Sequence, residues 1–170
     1  RIEVMDSGWA AIAEGFMVLQ AARAARAGAA LEGALAAARA VAERVRLLAA
    51  FDTLEYLRRG GRIGAAAALL GSVLKINPLI HLRDGAVHPA GMTRSRGKAL
   101  DALAAFPQRF SCIDALSVGH AACAEDARAL TQKLAAQYPQ QEILQTRLTP
   151  VMGAHTGPGL IIVAVIGEHR

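Results

Sequence analysis

The sequence predicts an α/β fold in which helices cover a sheet. Stretches with apolar residues at helical spacing alternate with short runs rich in Val, Ile and Leu. About a fifth of the 170 residues are Ala, which has the highest helix propensity and allows close packing. The last apolar run, 160–166, is mostly Val, Ile and Leu, which is typical of a strand buried on both faces.

The first part of the chain predicts two helices after the end of a strand. An apolar piece at 2–5 leads into Asp6-Ser7-Gly8, which favours a turn or a helix cap. Apolar residues then recur at helical spacing, and Gly28 indicates where the first helix stops. In the next helix a stripe of Ala, Leu and Val runs between charged residues. The two helices are expected over 9–27 and 31–50.

The character of the chain changes at Phe51, after which shorter helices alternate with strands. The sequence Arg83-Asp84-Gly85 predicts a tight hairpin turn. Further helices are expected over 63–74, 94–105 and 122–137. Strands are expected over 76–82, 86–89, 110–118, 142–148 and 160–166. We therefore assign residues 1–50 to the C-terminal end of a first α/β domain and residues 51–170 to a second.

Composition and charge restrict the classes of function. With 54% hydrophobic residues the chain is not disordered. The net charge of +5 is scattered, and no aromatic residues lie between the basic ones, so nucleic-acid binding is only a weak alternative. A basic surface leaves peripheral contact with a membrane open. The uncharged stretch 148–167 is interrupted by Gly and Pro, so we expect no transmembrane segment.

The cysteines and four of the histidines show no spacing for a metal site. Cys112 and Cys123 form no CxxC pair and have no His at ligand spacing, which fits a reducing, cytoplasmic location. We expect neither a metal nor a cofactor. The histidines without an assigned role are His81, His88, His120 and His169.

The first candidate site is the run 58–64, Arg-Arg-Gly-Gly-Arg-Ile-Gly. Its Gly pair predicts the opening of a helix, where backbone N–H groups and Arg side chains could bind a carboxylate or a phosphate. The spacing is not that of a P-loop. The alternative is a turn between helices with solvated Arg side chains.

Two further stretches could bind an anion. In 153–159, three Gly and one Pro surround His155 and Thr156, so an imidazole could be held near a head group or transfer a proton. The alternative is a polar turn with an exposed His. The stretch 93–98 forms a small basic patch at a predicted helix start, suited to a partner or a phosphate. Solvated helix charges are the alternative there.

Taken together, these stretches resemble the DegV family in order and approximate spacing, over essentially the whole chain. The residues that carry the resemblance are Thr53-Leu54-Glu55-Tyr56-Leu57-Arg58-Arg59-Gly60-Gly61-Arg62-Ile63, Leu74-Lys75-Ile76-Asn77-Pro78-Leu79-Ile80, Asp84-Gly85, Arg94-Ser95-Arg96 and His155-Thr156-Gly157-Pro158-Gly159. The resemblance implies the C-terminal portion of a two-domain DegV-like (EDD) fold, a mixed sheet covered by helices. It also implies that the N-terminal part of such a protein is lacking here.

The resemblance implies a function as well. Members of the family are bacterial proteins that hold a fatty acid and present its carboxylate to a separate fatty acid kinase. This chain is accordingly expected to be a non-enzymatic, cytoplasmic lipid-binding subunit with a ligand of about 16 to 18 carbons. The residues implied at the head group are His155, Arg62, Thr156, Gly157 and Gly159. The residues implied to face the kinase are Arg94 and Arg96.

An alternative of another class stays open. In that reading the chain is an anion-binding enzyme that uses His155 as a general base and Arg62 as a phosphate clamp. Turnover without any kinase subunit would distinguish the enzyme from the carrier.

Overall fold

The computed structural model describes residues 1–70 and 76–169 of the chain. The helices in this part are α1 (Ala11–Arg26), α2 (Leu31–Arg44), α3 (Glu55–Arg59), α4 (Arg96–Ala105), α5 (Ala124–Gln137) and α6 (Pro150–Thr156). The strands are β1 (Val45–Ala50), β2 (Asn77–Arg83), β3 (Ala86–Thr93), β4 (Phe110–His120), β5 (Ile143–Arg147) and β6 (Ile161–His169). Two short 3₁₀ helices cover Gly64–Leu69 and Phe106–Arg109.

The strands form one six-stranded mixed sheet in the order β3-β2-β1-β6-β4-β5. The edge strand β5 runs parallel to β4, while the other neighbouring strands of the described residues run antiparallel. Helices α1 and α2 contribute to the core on one face, and α4 and α5 to the core on the other. The predicted α/β fold, with helices covering a mixed sheet, is confirmed.

The central strand β6 explains the continuous apolar run near the end of the sequence. Ile162 and Ala164 face the core beneath α1 and α2, whereas Ile161, Val163 and Val165 face the core beneath α4 and α5. Because both faces of β6 are covered, neither set of side chains needs to be polar. The prediction of a strand buried on both faces is confirmed.

The helix predicted over 31–50 is wrong in its last six residues. Helix α2 ends at Arg44, and 45–50 forms β1, the second of the two central strands, paired with β6 from Val45 opposite Ile166 to Ala50 opposite Ile161. Leu and Ala favour a helix locally, but pairing on both sides and burial on both faces outweigh that preference. The proposed domain division at residue 50 stays a prediction, while residues on both sides of it contribute to this sheet.

The first ten residues form no helix or strand, so the strand end predicted at 2–5 is wrong. Ile2 and Val4 are exposed, and none of the strands that the structure describes pairs with them. The turn predicted next to this piece is present, since the N–H of Gly8 donates to Oδ1 of Asp6 at 2.9 Å. Side-chain acceptors of this kind favour turns over strands.

Most other predicted elements are confirmed within a few residues, including the hairpin turn, where Asp84 and Gly85 both have positive φ. The return strand is longer than predicted and reaches Thr93, because a bulge opposite Leu79 and Ile80 lets pairing continue. The helix predicted over 63–74 is a 3₁₀ helix that ends at Leu69, and the predicted residues 71–74 lie outside the described part. None of the helices described is long and apolar enough to cross a bilayer.

Candidate functional site

Two chain segments lie beyond the same end of the central strands β1 and β6, and they bring the main predicted site residues together. We call residues 51–62 the α3 segment and residues 148–160 the α6 segment. Ala50 at the end of β1 pairs with Ile161 at the start of β6. Since these strands are antiparallel, the segment after β1 begins next to the point where the segment before β6 ends. Helices α3 and α6 then pack against each other.

Glycines allow the two segments to approach more closely than other residues could. A Cβ atom added at any of three glycines would lie between 2.0 and 2.3 Å from a side-chain atom of the opposite segment. Such distances are far below van der Waals contact, so the observed packing requires glycine at these positions. The three contacts are Gly60 with His155, Gly157 with Tyr56, and Gly159 with Asp52.

His155 lies in the last turn of α6, not in the loop that its glycine-rich neighbours predicted. Pro150 occupies the first turn of that helix, where its missing N–H costs no hydrogen bond. Gly157 ends the helix with φ of +75°. The imidazole is half-buried, and its Nδ1 is buried without a hydrogen-bond partner among the described residues. A helix therefore holds His155 in a defined direction with one nitrogen unpaired.

The Gly pair at 60–61 ends helix α3, so the prediction that it opens a helix is wrong. Gly60 caps the C-terminus of α3, and the N–H of Arg62 donates to the carbonyl of Leu57 at 2.9 Å. The buried Leu57 anchors this helix on the core upstream of the glycines. The cradle of helix-start N–H groups expected at the Gly pair is therefore not formed.

Arg62 and His155 nevertheless meet at Gly60. Nη1 of Arg62 donates to the Gly60 carbonyl at 2.9 Å, while the His155 ring packs against the Gly60 Cα. The Arg62 side chain is exposed. The guanidinium of Arg62 and the imidazole of His155, which are distant in sequence, thus contact the same glycine.

Charge pairing leaves Arg62 with more unbalanced charge than its basic neighbours. Glu55 accepts hydrogen bonds from Arg58 and Arg59, which lower the pKa of its carboxyl group to about 2. Arg62 contacts a neutral carbonyl instead, and no carboxylate of the described residues pairs with it. Arg62 is therefore the cation of this segment best placed to meet an external anion.

The other predicted head-group residues are used within the chain. Thr156 is buried, and its hydroxyl donates to the carbonyl of Met152 at 2.9 Å. The N–H of Gly159 donates to the carbonyl of Ala121 at 2.8 Å. The structure places Thr156, Gly157 and Gly159 in the packing of the site.

The two arginines predicted to face a kinase differ in their surroundings. Arg94 is exposed, and no hydrogen bond or ion pair engages its side chain among the described residues. Arg96 turns inward: Nε contacts Asp126 at 2.8 Å, and Nη1 contacts the Gly159 carbonyl at 2.7 Å and Asp52 at 3.3 Å. Arg94 alone of the two presents a free charge.

Sequence reasoning missed the polar residues that hold the site. Asn77 donates from Nδ2 to Oδ1 of Asp52 at 3.2 Å and to the carbonyl of Phe51 at 3.3 Å. Asp126 lies in the first turn of α5, where it meets Arg96. A correct assignment of β1 as a strand would have marked Asp52 as a residue at a strand end, where sites often form.

Other groups in the described residues offer no competing chemistry. Burial raises the pKa of the Cys123 thiol despite the nearby Arg96, so the thiol stays protonated at neutral pH. No group of three or more His, Cys, Asp or Glu in ranges 1–70 and 76–169 is placed to hold a metal. Two open clefts of about 640 Å³ each lie beside Trp9 and Tyr138, and neither is lined by His155 or Arg62.

Fold and site together define an α/β protein in which an imidazole and a guanidinium contact one glycine beyond the ends of the two central strands of a mixed sheet. A family model described as an uncharacterised protein of the DegV family matches residues 1–168. The chain belongs to the DegV family.

Curated and structural relatives agree with this assignment. A DegV domain-containing protein from Streptomyces coelicolor is 40% identical over 168 residues, covering 96% of this chain and 59% of its own length. A fatty-acid-binding DegV family protein from Thermus thermophilus is 31% identical with a TM-score of 0.87, covering 98% of this chain and 61% of its own. DegV of Bacillus subtilis, described as a fatty acid binding protein, is 28% identical with a TM-score of 0.81, covering 96% and 60%. The chain thus spans about three fifths of the length of these relatives.

Proposed function

We propose that this chain binds the head group of a fatty acid of about 16 to 18 carbons and presents it to a separate fatty acid kinase, as a non-catalytic, cytoplasmic subunit. The observation that carries the proposal is the placement of His155 and Arg62 on either side of Gly60. The two relatives described as binding fatty acids, which match nearly all of this chain, support it.

The head group of such a ligand is an anion at neutral pH. Removing a carboxylate from water costs free energy unless hydrogen-bond donors and positive charge meet it. Arg62 provides a charge that no carboxylate of the described residues balances. The Nδ1 of His155 is buried against Gly60, so the imidazole can offer its other ring nitrogen, Nε2, to a head group. Together they can bind a carboxylate or the acyl phosphate that a kinase makes from it.

Apolar side chains lie beside these polar groups. Val151 precedes His155 by one turn of α6 and is 72% exposed. Tyr56 precedes Gly60 by one turn of α3 and is 38% exposed. Residues four apart share a helix face, so Val151 offers an apolar surface next to His155, and Tyr56 offers one next to Gly60, whose carbonyl Arg62 contacts. Each CH₂ of an acyl chain buried on such surfaces contributes about 0.8 kcal/mol, so the tail dominates affinity.

The kinase contact is assigned to the helix start that carries Arg94 and Arg96. Arg94 projects a free charge two residues before Arg96, whose side chain joins the helix to the α6 segment through Gly159. A partner that binds Arg94 would therefore meet the chain close in sequence to a residue that contacts the head-group site. This placement suits a subunit that presents its ligand to another protein.

The first test is extraction of the purified chain with organic solvent, followed by mass spectrometry and titration with palmitate. We expect bound fatty acid and saturable palmitate binding. With a fatty acid kinase added, His155→Ala should lower acyl-phosphate formation about tenfold but change palmitate affinity only slightly, because the tail dominates binding. Arg94→Glu should weaken coupling to the kinase and leave palmitate bound.

Arg23→Gln is the matched control, since it removes an exposed charge at the last turn of α1, away from the α3 and α6 segments. It should leave both readouts unchanged. Equal losses of palmitate binding and acyl-phosphate formation in His155→Ala would contradict its head-group role. Turnover of a substrate without a kinase would favour the enzyme alternative.

A further inference from the structure

Arg96 begins α4, but its side chain points into the molecule and is only 24% exposed. It contacts three separate parts of the chain. Asp126 lies at the start of α5, Asp52 in the α3 segment, and Gly159 in the α6 segment. The guanidinium therefore joins the helices on one face of the sheet to both segments of the site.

We infer that Arg96 is a positioning residue that fixes the α3 and α6 segments relative to each other and so places His155 against Gly60. The consequence of this positioning for the lipid ligand rests on the proposed function. Nη1 of Arg96 contacts Gly159 in one segment and Asp52 in the other. Those two residues also pack directly against each other, at a distance that leaves no room for a Cβ.

The chemistry of arginine matters for this role. A guanidinium is planar and offers N–H groups at fixed angles, so it can engage a carbonyl and two carboxylates at once. The ammonium of lysine is a single point charge and cannot reproduce that geometry. Nη2 of Arg96 is buried without a partner among the described residues, so the group does not satisfy all its own donors. Unpaired buried donors of this kind call for a reason beyond simple stability.

The test compares Arg96→Lys and Arg96→Met with Lys133→Met. Lys133 donates to Asp101 at 2.7 Å and also joins α5 to α4, but this contact does not involve either segment of the site. The control therefore removes a contact between the same two helices and leaves the site untouched. The readouts are the NMR signals of the backbone amides of Gly60, Gly157 and Gly159, acyl-phosphate formation with a fatty acid kinase added, the affinity for palmitate, and the melting temperature.

We expect both Arg96 variants to shift these glycine signals and to lower acyl-phosphate formation about tenfold, as removal of His155 does, while palmitate affinity changes only slightly because the tail dominates binding. Lys133→Met should lower the melting temperature without changing the glycine signals or the affinity. If Arg96→Met does not fold, Arg96→Lys decides the question.

Wild-type glycine signals in Arg96→Lys would overturn the inference, because lysine keeps the charge but not the geometry. Matching shifts in Lys133→Met would overturn it as well, since they would reflect loosened helices. If the wild-type chain binds no palmitate, the proposed function fails, whereas the glycine signals still decide whether Arg96 positions the site.

Discussion

Gly157 shows how the absence of one side chain sets the geometry of the site. Its φ of +75° and ψ of 173° lie in a region that residues with a Cβ rarely adopt. A Cβ there would also lie 2.3 Å from the ring of Tyr56. Gly61 has a similar φ of +68°, yet nothing lies within 4 Å of its Cβ position. The two positions therefore separate backbone strain from side-chain contact.

Gly157→Ala should lower the free energy of unfolding by about 3 to 5 kcal/mol, because backbone strain and overpacking add. Gly61→Ala should lower it by only about 1 to 2 kcal/mol, since it carries the strain alone. Urea denaturation of both variants measures the difference. Repeating Gly157→Ala in a Tyr56→Ala background should lower its cost, because the contact with the ring is then absent and only the backbone strain remains. An unchanged cost in that background would show that contact with Tyr56 is not the cause.

At the scale of elements, the β2–β3 hairpin places two histidines opposite each other. His81 and His88 pair across the strands, and their rings stack with centroids 5.7 Å apart. Burial lowers the pKa of His81, and the nearby His88, Arg83 and Arg109 lower it further. The folded hairpin therefore favours the neutral form of His81.

This preference predicts a pH dependence of stability. An unfolded His titrates at about 6.5, so below that pH the unfolded chain binds a proton at His81 that the folded chain binds only at lower pH. Unfolding is then favoured as the pH falls, and stability should decrease between pH 7.5 and 5.5. Urea denaturation at both pH values should show a smaller decrease for His81→Gln than for the wild type. The stability of His81→Gln at pH 7.5 gives the effect of losing the stacked ring alone. Equal decreases in stability between pH 7.5 and 5.5 for the variant and the wild type would contradict the expectation.

The elements that could be predicted are those whose local pattern agrees with the final fold. Ser95 caps α4 through the N–H of Lys98, and β6 is apolar from Ile161 to Ile166, so both elements were predicted correctly. The strand 45–50 could not be predicted locally, because Leu-Leu-Ala-Ala suits a helix equally well and pairing with β6 decides. The glycine-rich neighbours of His155 likewise concealed the end of α6.

Local sequence patterns could predict even less of the candidate site. Arg62 and His155 were associated by resemblance to a family, since nothing within either stretch indicates that the two meet at Gly60. The sequence predicted Arg96 at the surface, because its partners Asp52 and Asp126 are distant in sequence. Contacts of this kind arise from the order of the strands, which a single sequence does not determine.

At the scale of the whole molecule, the site is attached to the most deeply buried part of the fold. Strands β1 and β6 occupy the middle of the sheet, with core residues on both faces. The α3 segment continues from β1 and the α6 segment leads into β6. Displacement of His155 relative to Gly60 therefore requires movement of two short segments, because the strands that carry them are fixed.

This arrangement predicts which backbone amides exchange most slowly with solvent. Residues 45–50 pair with β6 along their whole length, so their amides should exchange with free energies within about 1 kcal/mol of those in β6, close to the free energy of global unfolding. A domain boundary at residue 50 predicts instead that 45–50 exchanges together with α1 and α2. Native-state hydrogen exchange followed by NMR distinguishes the two, with the exposed residues 2–4 as the unprotected reference. If the exchange free energy of the Leu48 amide matches that of Phe16 in α1 and not that of Val163 in β6, a cooperative boundary at residue 50 is supported. In that case the sheet opens between β1 and β6 before the whole chain unfolds.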